Sequence, residues 1–232
     1  MANYLIIGAS SGIGKKLAEQ LSESDHHIFG TYFKNEIQSD NTQIEYHPLN
    51  VLDETISLNF LPETLAGLIY CPGSINLRPF ERIKPIDFLN DYNLQVIGAI
   101  NTIQAVASRL KKSENAAIIL FSSVAVQLGL PFHSQVSASK GAIEGLTKAL
   151  SAEYAPKIRV NCIAPSLTDS PLAASLLNTD LKREANAQRH PLKRIGTTDD
   201  IANMVEFLLS PKASWITGQI MHVDGGISTL KV

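Results

Sequence analysis

Apolar runs of strand length alternate with stretches of helical period along the whole chain. Asn3–Ile7, His27–Tyr32, Gln43–Pro48, Leu65–Tyr70, Ala116–Phe121, Ile158–Ile163 and Gln219–Val223 read as buried strands. Ile13–Glu23, Ile86–Leu110, Ser137–Ala155 and Asp199–Leu209 repeat apolar residues at helical spacing, and a shorter helix is expected near Asp53–Phe60. This alternation predicts an α/β fold, a mostly parallel sheet of those seven strands with helices on both faces. Ligands bind such sheets beyond the carboxyl ends of the strands, so chemistry is sought just after each strand. At 232 residues the whole chain, 1–232, suits one domain. Pro165 to Thr197 is its least regular stretch and the best candidate for a mobile lid over a substrate.

Composition narrows the partners. The chain is 44% hydrophobic and 18% charged with a net charge of −2, and no basic run exceeds two residues, such as Lys111-Lys112. That argues against nucleic acid or an anionic membrane surface as partner. The longest apolar runs are far short of a membrane span. The first strand begins almost at the N-terminus, which leaves no room for a signal peptide and predicts a cytoplasmic protein. Cys71 and Cys162 have neither metal-ligand spacing nor a disulfide framework, and the six histidines are scattered, so no metal site is expected.

Gly8-Ala9-Ser10-Ser11-Gly12-Ile13-Gly14 follows the first strand directly and opens the first helix. Gly8 allows a tight turn, Gly12 lets the backbone approach a diphosphate, and Gly14 permits close packing of the helix. The helix N-terminus supplies free N–H donors and positive dipole. Dinucleotide binding is the expectation, with Ser10, Ser11 and Ile13 in the same loop. An acidic residue after the second strand would bind the 2′-hydroxyl of an adenosine ribose. The chain instead reads Gly30-Thr31-Tyr32-Phe33-Lys34-Asn35, which favours NADP over NAD, with Lys34 as the phosphate partner and Thr31 as a cofactor-binding candidate in the same segment. The other reading of Lys34 is a solvated loop lysine.

These motifs, with Ser122-Ser123, Ser137-Ala138-Ser139-Lys140, Asn161-Cys162-Ile163-Ala164-Pro165, Pro191-Leu192-Lys193-Arg194-Ile195-Gly196-Thr197 and Val223-Asp224-Gly225-Gly226, closely resemble the short-chain dehydrogenase/reductase family from Gly8 to Gly226. The resemblance implies a single doubly wound Rossmann-fold domain with strand order 3-2-1-4-5-6-7 and a nicotinamide cofactor. It places Asn50-Val51 beside adenine and Gly73, Lys140, Pro165, Ser166 and Thr168 along the cofactor. It also implies packing as a homodimer or homotetramer through the helices at Ile86–Leu110 and Ser137–Ala155, with a hetero-oligomer as the alternative. The family's Asn-Asn-Ala-Gly turn is here Tyr70-Cys71-Pro72-Gly73, and a second basic residue common in its NADP members is here Ser11.

In that family a tyrosine passes the alcohol proton, a lysine binds the nicotinamide ribose, a serine orients the carbonyl and an asparagine anchors a water relay. Ser123 and Lys140 stand at the matching spacings. The tyrosine position, four before Lys140, holds Val136, and the asparagine position falls on Gln95. Valine can neither give nor take a proton. Water held by Ser123 and Lys140 could replace the phenol, as could His133, seven residues before Lys140, where enoyl-reductase relatives place their tyrosine; His133 also reads as a solvent-facing loop residue. The expectation is an NADP-linked oxidoreductase with an atypical acid–base site, acting on a carbonyl or enone of a small organic molecule. The alternative is a non-catalytic nucleotide-binding homologue that senses cofactor or supports an active partner. Leu167 to Arg189 and the loop Gln127–Gln135 are expected to wall the substrate pocket, with Leu128, Leu130, Phe132 and Leu172 forming either an apolar lining or part of the core or an oligomer interface.

Overall fold

A computed structural model describes Met1–Lys231. Seven strands form one parallel sheet in the order β3-β2-β1-β4-β5-β6-β7. They are β1 (Asn3–Ile7), β2 (His27–Tyr32), β3 (Ile44–Pro48), β4 (Gly67–Tyr70), β5 (Ala116–Phe121), β6 (Ile158–Pro165) and β7 (Ile220–Val223). The sheet order and the single Rossmann-like domain agree with the sequence reading.

Alternate residues of each strand face opposite sides, and both sides are dry. Leu5 and Ile7 of β1 pack with Ile103, Val106 and Leu110 of α3 (Gly98–Lys111) and Ile143 of α5 (Ser134–Tyr154). Tyr4 and Ile6 pack with Leu17 and Leu21 of α1 (Gly12–Glu23) and Val205 and Leu208 of α7 (Thr198–Leu209). Strands buried on both faces explain the continuous apolar runs.

Four expectations about the elements need correction. Asp53–Phe60 is irregular backbone, not a helix; Ile56, Leu58 and Leu61 pack on the core from it, which mimics helical spacing. The long Ile86–Leu110 helix is α2 (Pro85–Tyr92), a π turn at Asn93–Ile97, and α3. The Pro165–Thr197 stretch contains a 3₁₀ turn at Pro171–Leu176 and a true helix, α6 (Asp180–Gln188). No residue of α6 is buried, so it has no apolar stripe to read. A one-turn helix, α4 (Ala125–Leu128), follows β5, and α5 starts at Ser134 rather than at the expected Ser137. No helix is long and apolar enough to cross a membrane among the described residues.

Candidate active site

Two adjoining cavities open where the strands end. One, of about 370 Å³, is lined by Gly8, Ser10, Ser11, Gly12 and Gly14 after β1, Phe33 and Lys34 after β2, Asn50 and Val51 after β3, and Pro72 and Gly73 after β4. Ser11 caps α1 without a side-chain hydrogen bond, which leaves first-turn N–H groups for a ligand. Gly12 has φ +54°, and a Cβ on Gly14 would collide with the Gly8 carbonyl. Both glycines are therefore demanded by the loop's shape. No aspartate or glutamate lines this cavity among the described residues.

Thr31 does not reach the cavity. It is buried, its Oγ1 accepts from the Gly8 N–H at 3.2 Å, and its carbonyl accepts from the Ala9 N–H at 2.8 Å. Its work is to hold the glycine loop, so the expectation that Thr31 itself binds cofactor is replaced by a supporting role. The Asn50 amide is also engaged: Nδ2 donates to Asp53 at 2.6 Å and Oδ1 accepts from the Leu52 N–H. Lys34 is exposed, with its Nζ 5.5 Å from the Phe33 ring centroid.

The second cavity, of about 480 Å³, shares Ile13, Cys71, Gly73, Ser170 and Leu172 with the first, so the two form one groove. It brings together Ser123, Lys140, Val136, Gln95 and His133, with Pro165, Ser166 and Thr168 on the β6 side. Ser123 accepts the Ala125 N–H through Oγ at 3.2 Å, a strand-end cap that leaves its hydroxyl hydrogen for another partner. The His133 Nδ1 lies 2.7 Å from the Pro131 carbonyl. A nitrogen bonded to a carbonyl carries hydrogen, which leaves Nε2 as the atom able to exchange a proton. Val136 lies one helical turn before Lys140 on α5 and is almost fully buried.

Beneath this floor lies a polar cluster that sequence reading missed. Asp91 is buried and accepts from Gln95 Nε2 at 2.8 Å through each carboxylate oxygen, from Ser139 Oγ at 2.6 Å, and from Ser74 Oγ. The π turn rotates Gln95 inward, and the Leu94 carbonyl in that turn accepts the Tyr70 hydroxyl at 2.6 Å. Gln95 Oε1 has no hydrogen-bond partner among the described residues. It and Lys140 Nζ flank Gly73, where a Cβ would lie 3.7 and 3.9 Å from them. Burial lowers the Lys140 pKa from 10.5 to about 8, opposed in part by the negative charge of Asp91. Burial also pushes the Cys71 and Cys162 thiols up to about 12, so neither is a thiolate at neutral pH. The one sequence signal for Asp91 was its place four residues before Gln95, on the same helical face.

The Pro165–Thr197 stretch is anchored at its base. Thr168 bridges to Gly196, and the buried His190 joins it to β6, with Nδ1 2.8 Å from the Asn186 carbonyl and Nε2 2.8 Å from Ser166 Oγ. From α6 and the turn that follows it, Lys182, Asn186 and Arg189 face the second cavity. All three fall in the Leu167–Arg189 stretch expected to wall the substrate pocket, though none was named individually from sequence.

Known proteins are similar to this chain in sequence and fold. A family model described as enoyl-(acyl carrier protein) reductase matches residues 8–228. The chain is 32% identical to the 3-oxoacyl-[acyl-carrier-protein] reductase FabG of Staphylococcus epidermidis, across 96% of this chain and 97% of that protein. It is also 32% identical to the peroxisomal 2,4-dienoyl-CoA reductase SPS19 of Saccharomyces cerevisiae, across 80% of this chain and 61% of the other. A solved structure of ElxO with NADP bound superposes with a TM-score of 0.89 at 27% identity, covering 99% of this chain and 100% of that one.

Proposed function

The chain belongs to the short-chain dehydrogenase/reductase family, a family of nicotinamide-dependent oxidoreductases, and from that premise we propose that it is an NADP-linked reductase of a carbonyl or enone whose acid–base site lacks the usual tyrosine. The observation that carries this reading is the single groove that joins the glycine loop to Ser123 and Lys140. A molecule with a phosphate-bearing end and a reactive ring fits that shape. The relatives' names, an oxoacyl and a dienoyl reductase, point to a carbonyl and to a conjugated double bond respectively.

A nicotinamide bound there supplies the hydride. Everything else falls to the chain. The α1 N-terminus and Ser10 to Gly14 hold the diphosphate, and Lys34 pairs with a ribose phosphate. Lys140 holds the nicotinamide ribose, while Ser123 donates a hydrogen bond to the substrate oxygen. Val136, at the position of the family's tyrosine, presents only methyl groups to the reacting centre. The proton reaches the substrate from water ordered by Ser123, Lys140 and Gln95 Oε1, or from His133 Nε2. Residues 165–197 close over the substrate as a lid. The exposed apolar residues Ile86, Leu89, Tyr92 and Ile97 on the long helix support a homodimer or homotetramer.

The cofactor half has a direct test. NADPH should bind more tightly than NADH, and Lys34→Ala should narrow the difference, because the cavity offers a cation and no carboxylate. A charge-assisted contact is worth about 1.5–3 kcal/mol, so the effect should be roughly tenfold or more by fluorescence titration. Equal affinities in the parent protein would overturn the NADP assignment.

A further inference from the structure

The second cavity has an unbalanced charge. Its lining includes Lys140, Lys182 and Arg189 but no aspartate or glutamate among the described residues, in a chain whose net charge is −2. The imbalance does not extend to neighbouring cations. On the same stretch, Arg183 pairs with Asp169 at 2.7 and 3.2 Å, and Arg194 pairs with Asp200 at 2.6 and 2.7 Å. Those two forks are satisfied. Neither Lys182 nor Arg189 has a carboxylate within 4.0 Å among the described residues: Lys182 donates to Asn178 Oδ1 at 2.8 Å and to the Ser175 carbonyl at 3.4 Å, and Arg189 reaches only Asn186 Oδ1 at 3.4 Å. The lining near these cations mixes Ser170, Ser175 and Asn186 with an apolar wall of Leu130, Val136, Leu172 and Leu176.

We infer that the substrate is a small organic anion, with its apolar body against Leu130, Leu172 and Leu176 and its anionic group held at the cavity mouth by Lys182 and Arg189. This rests on the reductase reading for the reacting end and adds recognition of the far end. A guanidinium matches a carboxylate or phosphate as a planar fork, and an adjacent ammonium adds a point charge. Apolar walls with a few convergent polar groups are the usual make-up of a small-molecule site. The anion can be a carboxylate on the substrate itself or a phosphate on a thioester tail. Both present acceptor oxygens to the same two cations.

Matched probes separate the possibilities. The NADP-loaded protein should be titrated with 4-oxo-4-phenylbutanoate, its methyl ester and a short 3-oxoacyl-CoA, and turnover should be measured with NADPH. The parent should bind the acid at least tenfold more tightly than its ester if the carboxylate is recognised. If the phosphate tail is recognised, the thioester should instead exceed the same acyl group on an uncharged N-acetylcysteamine thioester. In Lys182→Gln/Arg189→Gln the favoured ratio should collapse toward one, whereas Lys182→Arg should retain it. Binding is read apart from turnover, so an anion preference without NADPH oxidation would support this inference and overturn the reductase reading. Equal binding of charged and uncharged members in both pairs, or a ratio unchanged by the double substitution, would overturn the inference.

Discussion

Replacing Val136 by tyrosine should raise NADPH-dependent ketone reduction by about 10²–10⁴-fold, the usual contribution of a positioned acid. Val136 lines the cavity of about 480 Å³ one turn before Lys140, so a phenol at this position enters a space that already contains its partners. Lys140 can hold the phenolate by charge, and Ser123 stands ready to orient the carbonyl. The parent should therefore show weak ordinary ketone reduction. His133→Ala then identifies the native proton source: lost activity assigns the proton to the imidazole, and retained activity assigns it to ordered water. If Val136→Tyr instead lowers the parent's activity, the cavity has been reshaped around another acid, and valine is part of that design.

Lys140→Met should have opposite effects on stability and activity. The ammonium is buried, and the interval between its ordinary pKa of 10.5 and about 8 corresponds to about 3 kcal/mol. A cation whose pKa is lowered by folding costs stability in full below pH 8. Between pH 8 and 10.5 the unfolded chain binds the proton and the folded chain does not, so stability rises with pH across that window. Methionine removes the charge at similar length. The apo variant should therefore be more stable than the parent at pH 7, by up to about 3 kcal/mol in denaturant unfolding, with the gain fading from pH 8 to 10.5. NADPH-linked turnover should fall by at least about 10²-fold. A variant no more stable at pH 7 would show that Asp91 and bound water already compensate the ammonium. Groups that weaken a fold while serving a reaction are expected at active sites.

The parts of this site visible in sequence are those with strong local constraints. The glycine loop announces itself because Gly12 needs a positive φ and Gly14 has no room for a side chain. Double-sided burial writes the strands as unbroken apolar runs, and Ser123 and Lys140 stand out by their resemblance to the family's motif spacing. Seventeen of the eighteen candidate site residues line the joined cavities; Thr31 alone lies behind the loop. What sequence did not show depends on contacts distant along the chain. Asp91 matters because Ser74 and Ser139 come to it from other elements. The π turn leaves no periodic trace over five residues, and α6 lacks the apolar stripe by which a helix is recognised. Lys182 and Arg189 look like any surface cations until the fold aims them at a cavity and gives the neighbouring arginines, but not these two, a carboxylate.

The most direct measurement is NADPH oxidation by the parent protein against a panel of ketones and enones, with the reduced product quantified alongside. The account predicts substrate-dependent turnover that prefers NADPH to NADH, runs well below tyrosine-bearing relatives, and is lost in Lys140→Met. Tight NADPH binding with no turnover of any carbonyl or enone would contradict it and identify the chain as a nucleotide-binding member of the family without catalysis.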